Sequence, residues 1–341
     1  MAMKKIILIL LINLMLVNFL ASQEQVTKVG TTAAGFLNID VGSNAIGMGS
    51  AFVSVANDAT AMYWNASGLA WLQKNEAVFT YNNWIADLTF NYAGIAIPLS
   101  VGTIGASATF LTMDEMERTT VNYPYGTGEK FSAGSYAFSL AYARALTDRF
   151  AIGANFKYIH EYILNSSATG VAFDIGTIFK TQFHGLNIGM NISNFGTKMR
   201  MQGRDLMIQV NIDPLVSGSN ENINAELRTE SYDLPLMFRV GVSMDVLKGR
   251  GNSNLILAVD ALHPNDDVEY VNLGGSYVFN RMFSLSAGYK TLFAADSEEG
   301  VSFGAGFYYQ LFNGLRIRLN YAFQDFGILK DIQQFSMAIE F

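Results

Sequence analysis

The sequence predicts an all-β protein: a transmembrane antiparallel β-barrel of about fourteen strands, with an N-terminal segment folded inside the lumen as a hatch. Three observations predict it. From residue 77 onward apolar residues recur at every second position, the period of a strand with two unlike faces. The non-apolar face is mainly Gly, Ala, Ser and Asn with isolated charges, whereas the outward face of a soluble sandwich is rich in Lys, Glu and Thr. Only 15% of the 341 residues are charged and 50% are apolar, against about 25% charged in an ordinary soluble protein.

The first element is an address. Lys4 and Lys5 precede an apolar run from Ile6 to Leu20, followed by Ala21, Ser22 and the polar QEQ. This is the layout of a secretory signal peptide over residues 1–22, with cleavage expected near Ser22. At about 15 residues, broken by Asn13 and Asn18, the run is shorter than the ~20 a spanning helix needs. With no cysteine anywhere, a lipoprotein anchor, disulfides, thiolate metal sites and a cysteine nucleophile are all excluded. Past residue 22 no apolar run suits a spanning helix, which leaves a soluble protein or a barrel.

Residues 23–75 form the second element. They do not alternate; they are rich in Gly, Ala, Ser and Asn and end in YWNASGLAWL, residues 63–72. A phosphate-binding loop is disfavoured, because Gly42, Gly47 and Gly49 lack the following Lys and Ser or Thr, and G-x-G-x-x-G fails at Phe52.

Residues 76–341 are the barrel. Alternation is clearest where Phe150, Ile152, Ala154, Phe156 and Tyr158 interleave with Ala151, Gly153, Asn155 and Lys157. It recurs where Phe283, Leu285, Ala287 and Tyr289 interleave with Ser284, Ser286, Gly288 and Lys290, and again over 315–323 and 335–341. Strand centres are expected near residues 80, 93, 106, 139, 155, 174, 189, 240, 257, 273, 286, 306, 319 and 338. The connections alternate between short ones, such as LTDR and FNR, and longer ones over 113–132, 195–233, 291–299 and 324–333. Outer-membrane barrels have short periplasmic turns and long outer loops. That places both mature termini on the periplasmic side, although the connections near 84–87 and 164–168 are short for outer loops.

Two stretches carry a family resemblance. GFLNIDVGSNAIGMGSAFVSVANDATAMYWNASGLA, residues 35–70, resembles the N-terminal signature of the PorV/PorQ family, a branch related to the FadL-like transporters of hydrophobic compounds. HPNDDVEYVNLGGSYVF, residues 263–279, resembles a second recurrent stretch of that family. The family pattern around Asn65 is usually Asn-Pro-Ala-Gly-Leu. Here Ala66 and Ser67 replace Pro-Ala, which leaves Asn65, Gly68 and Leu69 matched and puts the rigidity of the turn in question. The resemblance implies a fourteen-stranded outer-membrane barrel with an inward-folded hatch. Elementary geometry agrees, since about eight strands already enclose all that inward side chains can fill. Trp64, Asn65, Gly68, Leu69 and Trp71 are the expected hatch motif, with a rim-packed periplasmic lead-in as the alternative.

Little else suggests chemistry. His160, His184 and His263 have no metal-ligand spacing. Asp114, Glu115 and Glu117 crowd one outer loop, and Asp260, Asn265, Asp266, Asp267 and Glu269 another. Either group suits calcium or lipopolysaccharide cross-bridging, but solvated loop carboxylates are the commoner outcome. No G-x-S-x-G elbow occurs, so no enzyme and no cofactor is expected. The net charge of -7, without a basic stripe, argues against nucleic acid. Charges expected to face the lumen and grip the hatch are Arg144, Lys157, Asp174, Arg239, Asp245, Asp260, Lys290, Arg316, Arg318 and Glu340.

Expected partners are outer-membrane lipid and lipopolysaccharide. The PorV/PorQ resemblance implies an accessory role in type IX protein secretion, with secretion-system components and exported cargo as further partners. The alternative is FadL-like passive transport of a hydrophobic small molecule, for which Met199, Met201, Leu206, Met207 and Ile208 are candidate pocket residues. A purely structural role in the envelope is the third possibility.

Overall fold

A computed structural model describes residues 28–341 except 214, 216–217, 219–221, 249–251, 295–296, 312–313 and 330. The expected signal peptide, residues 1–22, lies outside the described residues. The first half of the barrel is β1 (Glu76–Asn83), β2 (Thr89–Leu99), β3 (Gly102–Thr112), β4 (Ala133–Thr147), β5 (Phe150–Ile163), β6 (Ser166–Lys180) and β7 (Leu186–Gly196). The second half is β8 (Met237–Asp245), β9 (Asn254–Pro264), β10 (Tyr270–Phe279), β11 (Phe283–Leu292), β12 (Val301–Gln310), β13 (Arg316–Gln324) and β14 (Ile332–Glu340). Each pairs antiparallel with its sequence neighbours, and β1 pairs with β14, Glu76 opposite Glu340, so the sheet closes. Closure leaves no strand edge, as a lipid environment demands.

The connections after β2, β4, β6, β8, β10 and β12 lie at one end, called here the lower rim, together with Phe341. The longer connections make up the upper rim. In the longest of them, 197–236, Met207–Val210 pairs with Ile223–Glu226 as a projecting hairpin.

The two faces of the wall differ as the period of two requires. Phe138, Leu140, Phe156, Phe173, Ile175, Phe303 and Phe335 point outward and are exposed. Such a continuous apolar belt is far larger than a soluble monomer tolerates. Ala, Ser and Asn side chains such as Ala141, Ser139, Asn155, Asn191, Asn272 and Ser302 point inward and are buried. Residues 33–72 bury them.

That plug runs through the lumen as short turns: a 3₁₀ turn at Gly35–Asn38, α1 (Ser43–Gly47), α2 (Ala61–Trp64) and a 3₁₀ turn at Ala66–Trp71. Its apolar residues Phe36, Leu37, Val41, Met48, Phe52, Met62, Trp64 and Leu69 form one core with inward alanines of the wall. The described residues start at the upper rim, where Thr32 bridges to Asp233, and descend to β1 at the lower rim. Residues 28–34 thus lie at the rim opposite Phe341, and the expected mature N-terminus near residue 23 lies outside the described residues.

Candidate functional site

The site is the plug, the wall that grips it and the chambers it separates. A plug of turns has few internal partners for its backbone, so the wall must supply them. Going round the barrel, Ser43 bonds Ser336 and the Gln334 carbonyl on β14, and the Gly49 N–H donates to Ser302 on β12. The Val53 N–H donates to Asp260 on β9 at 2.8 Å, and Asn155 on β5 donates to the Met62 carbonyl at 3.0 Å. Glycines let the plug backbone approach the wall directly. A Cβ added at Gly274 would fall 2.1 Å from Met48 O, at Gly288 2.1 Å from Gly49 N and at Gly153 2.3 Å from Ser67 N.

The YWNASGLAWL segment is the deepest part. Trp64 is 1% exposed; its Nε1 donates to the Val41 carbonyl at 2.8 Å, and its ring packs edge-on against Tyr63 and Phe52. Asn65 is pinned on both sides. Its Nδ2 donates to Val53 O at 3.0 Å, Thr177 O at 3.1 Å and Met190 O at 3.4 Å, tying the plug to β6 and β7. Its Oδ1 accepts from the Ser67 N–H and hydroxyl, starting the following 3₁₀ turn. The Ser67 hydroxyl thus restrains a turn that has alanine, not proline, at position 66. Gly68 is required by contact: a Cβ there would fall 2.1 Å from Ala56 O. Leu69 is fully buried, whereas Trp71 is half-buried at the lower rim, its ring under the Lys180 ammonium at 3.6 Å.

Replacing Asn65 by leucine is expected to loosen the plug. The change strands carbonyls that it now satisfies, at about 1–3 kcal/mol for a buried orphan group. Proteolysis of residues 33–72 in the detergent-solubilised barrel measures the loosening; cleavage no faster than in the parent protein would contradict it.

The ten candidate lumen charges separate into groups. Four meet the plug. Lys290 pairs with Asp40 at 2.7 Å and with Glu299 of the 293–300 connection at 2.7 Å, joining plug, wall and upper rim. Asp260 takes Val53 N–H, and Arg318 reaches Asp58 at 3.8 Å and also Glu76. The Arg239 guanidinium lies 5.6 Å from the Trp64 ring, a cation–π placement, and donates to Ser193. Lys157 and Asp174 pair with each other at 2.7 Å beside the β6–β7 bulge, where Asp174 also accepts the Asn194 N–H. Arg316 pairs with Glu340 at 3.4 Å, and Asp245 accepts the backbone N–H groups of Leu247 and Lys248 at the lower rim. Arg144 corrects the expectation. It shares the parity of Phe138, Leu140 and Tyr142 on β4 and is exposed on the outward face, opposite Ile152.

Asp40 and Asp58 escaped the sequence reading. They are the only charged residues in 33–72 and both are buried, so each demands a cation from the wall; Lys290 and Arg318 supply it. That mismatch of two acids in an otherwise uncharged segment was a usable signal. The histidines have local partners: His160 stacks on Tyr136, His263 meets Glu269, and His184 packs on Phe183. Among the described residues no three His, Asp or Glu side chains converge as a metal site. Met199 is buried, whereas Met207 and Ile208 are exposed on the hairpin, so the expected Met-lined pocket is not assembled there.

Two chambers flank the plug. The upper one, about 630 Å³, has Trp64 in its floor and sets Met237, Leu262, Phe326 and Leu329 against Asp40, Arg239 and Lys290. The lower one, about 730 Å³, opens between Lys248, Arg281, Arg316 and Arg318, with Met48 and Val55 of the plug above it.

No protein-family model and no curated protein sequence matches the chain. Solved structures do. The monoaromatic hydrocarbon channel CymD is 12% identical over 89% of this chain and 97% of its own, with a TM-score of 0.55. The Pseudomonas putida toluene transporter TodX is 12% identical, covering 88% and 97%, with a TM-score of 0.55. A Pseudomonas aeruginosa FadL homologue is 13% identical, covering 88% and 98%, with a TM-score of 0.54. At these identities the likeness is one of fold, and the chain is a closed fourteen-strand antiparallel barrel of the architecture seen in those channels.

Proposed function

We propose that this protein is an outer-membrane barrel that admits hydrophobic small molecules and is gated by residues 33–72. The observation that carries the reading is the plug itself. It fills a lumen too wide for wall side chains, is held by hydrogen bonds and ion pairs, and forms the floor of a half-apolar chamber at the upper rim. The same architecture occurs in proteins whose names are those of toluene and monoaromatic hydrocarbon channels. In this reading a solute enters over Met237, Leu262 and Phe326, reaches Trp64, and passes when the plug shifts. The ion pairs at Lys290 and Arg318 set how readily it does. Cells carrying the protein are expected to take up a radiolabelled monoaromatic or long-chain hydrophobic compound severalfold faster than cells without it. Equal uptake of every such compound by both, with the barrel folded in the membrane, would overturn the proposal.

A second reading, accessory to type IX secretion, draws on the PorV/PorQ resemblance of residues 35–70 and 263–279 and on the upper-rim loops. There Val121, Tyr125 and Leu215 are more than nine-tenths exposed, a surface suited to a protein partner. Periplasmic retention of secreted cargo on gene deletion, with hydrocarbon uptake intact, is the outcome that selects it.

A further inference from the structure

We infer that the lower rim around Arg144 binds the phosphate of a glycerophospholipid in the leaflet that meets that rim. The inference rests on the outward face meeting lipid and is independent of what the lumen passes. Arg144 is exposed on the outward face of β4, three residues before the strand ends. Its outward surroundings are apolar: Leu146 on the same strand and Leu99, Val101, Ile104 and Ile152 on the neighbouring elements are all exposed. Among the described residues Arg144 makes no hydrogen bond and no ion pair. A guanidinium with five donors in such a setting must find an oxygen acceptor outside the protein.

The level of the residue says which acceptor that is. Tyr142, one outward position further from the rim, donates its hydroxyl to the Val101 carbonyl at 2.7 Å and so lies against the β2–β3 turn. Aromatic residues of membrane barrels mark the boundary between acyl chains and headgroups. Arg144 lies beyond Tyr142 toward the rim, at headgroup level, where a charge on the lipid face costs little and its stem covers apolar wall. Acyl chains then lie on Ile104, Tyr142 and Ile152, and the phosphate meets the guanidinium.

Charge complementarity favours the same occupant. Exposed cations ring this end, with Lys74, Arg149, Lys248 and Arg281 in its turns against Asp148. The upper rim carries exposed charges of both signs, with Arg118, Lys130, Lys198, Arg204 and Arg228 among Asp114, Glu115, Glu117, Asp205, Asp213 and Asp267, and Arg118 and Lys198 are paired there with Glu129 and Asp233. Long loops face the cell exterior in barrels of this kind, which assigns the lower rim to the phospholipid leaflet and not to lipopolysaccharide.

Native mass spectrometry of the whole barrel, titrated with phosphatidylglycerol, tests the site. Arg144→Gln is expected to lower the fraction carrying a bound lipid about fivefold, the scale of one interfacial arginine, while Arg144→Lys retains most of it and Arg118→Gln at the upper rim changes nothing. Unchanged retention in Arg144→Gln, or preference for lipid A over phosphatidylglycerol, overturns the assignment. Should Arg144→Gln fail to fold, the parent protein still decides. A phosphatidylglycerol with a photoreactive acyl chain is expected to label 99–104 and 140–152 above all other strands, and even labelling around the barrel refutes the site.

Discussion

Gly153→Leu is expected to push the plug off the wall and convert a closed barrel into a conducting one. The new Cβ would fall 2.3 Å from Ser67 N and 2.4 Å from Ala66 C, both backbone atoms that no rotamer change can move aside. Ser67 is fully buried and tethered through Asn65 to β6 and β7, so the 3₁₀ turn cannot slide along the wall. Either β5 bends outward or the plug leaves. The wall is held by ladders on both sides, Gly153 facing Ala143 on β4 and Gly176 on β6, whereas the plug is held by single bonds. The plug is therefore the part that moves. Overpacking of this kind costs about 1–3 kcal/mol, which shifts the docked-to-undocked ratio by about fivefold to about 150-fold. Planar-bilayer recordings read the result as discrete openings that the parent protein lacks, and intact cells read it as sensitivity to bulky antibiotics. Gly300→Ala, where a Cβ meets nothing within 4 Å, is the matched control. A Gly153→Leu barrel that folds and stays as tight as the parent would show that residues 33–72 do not gate the lumen.

Gly153, Ser67 and Asn65 mark how far the sequence alone reaches. The barrel was legible because its signal is local and periodic: every expected strand centre falls within an observed strand, from residue 80 in β1 to 338 in β14. The plug was legible as a region for the opposite reason, its lack of period beside a wall of small residues. What the sequence hid is pairing across the lumen. Nothing local says that Asp40 lies beside Lys290, 250 positions away, or that Asn65 meets carbonyls on β6 and β7. Gly153 and Gly288 stood in the alternation as small inward residues, but their necessity appears only when Ser67 and Gly49 are laid against them. Arg144 was misread although the signal was present. A charge suggests the lumen, yet parity with Phe138, Leu140 and Tyr142 fixes the outward face, and in a strand parity decides.

Lys290→Met is expected to release the plug in a pH-dependent way. The Lys290 ammonium, with a side chain 9% exposed, is the cation between Asp40 of the plug and Glu299 of the upper rim, whose side chains are 8% and 22% exposed. Its removal leaves two carboxylates facing each other out of water, and breaking a buried pair from one side costs about 3–5 kcal/mol. The Ser50 hydroxyl donates to Asp40 at 2.6 Å, and Tyr270 and Arg239 line the same chamber, where the Arg239 guanidinium donates to Ser193 and makes no ion pair with Asp40 or Glu299. Burial already pushes the Glu299 carboxyl above its ordinary range, with Lys290 pulling it back. A carboxyl with a raised pKa in the folded state holds its proton more tightly there than in the unfolded chain. Its stabilising share is complete below the ordinary value of about 4.3 and is lost as pH rises through the raised folded value. Without Lys290 the opposing pull is gone, so the slope steepens. Conductance of Lys290→Met is therefore expected to be high at neutral pH and to fall reversibly on acidification, while Lys290→Arg stays closed throughout. A variant equally closed at both pH values would mean that the hydrogen bonds at Ser43, Gly49, Val53 and Asn65 hold the plug unaided. A variant equally open at both would mean that the lysine acts by its shape and not by its charge.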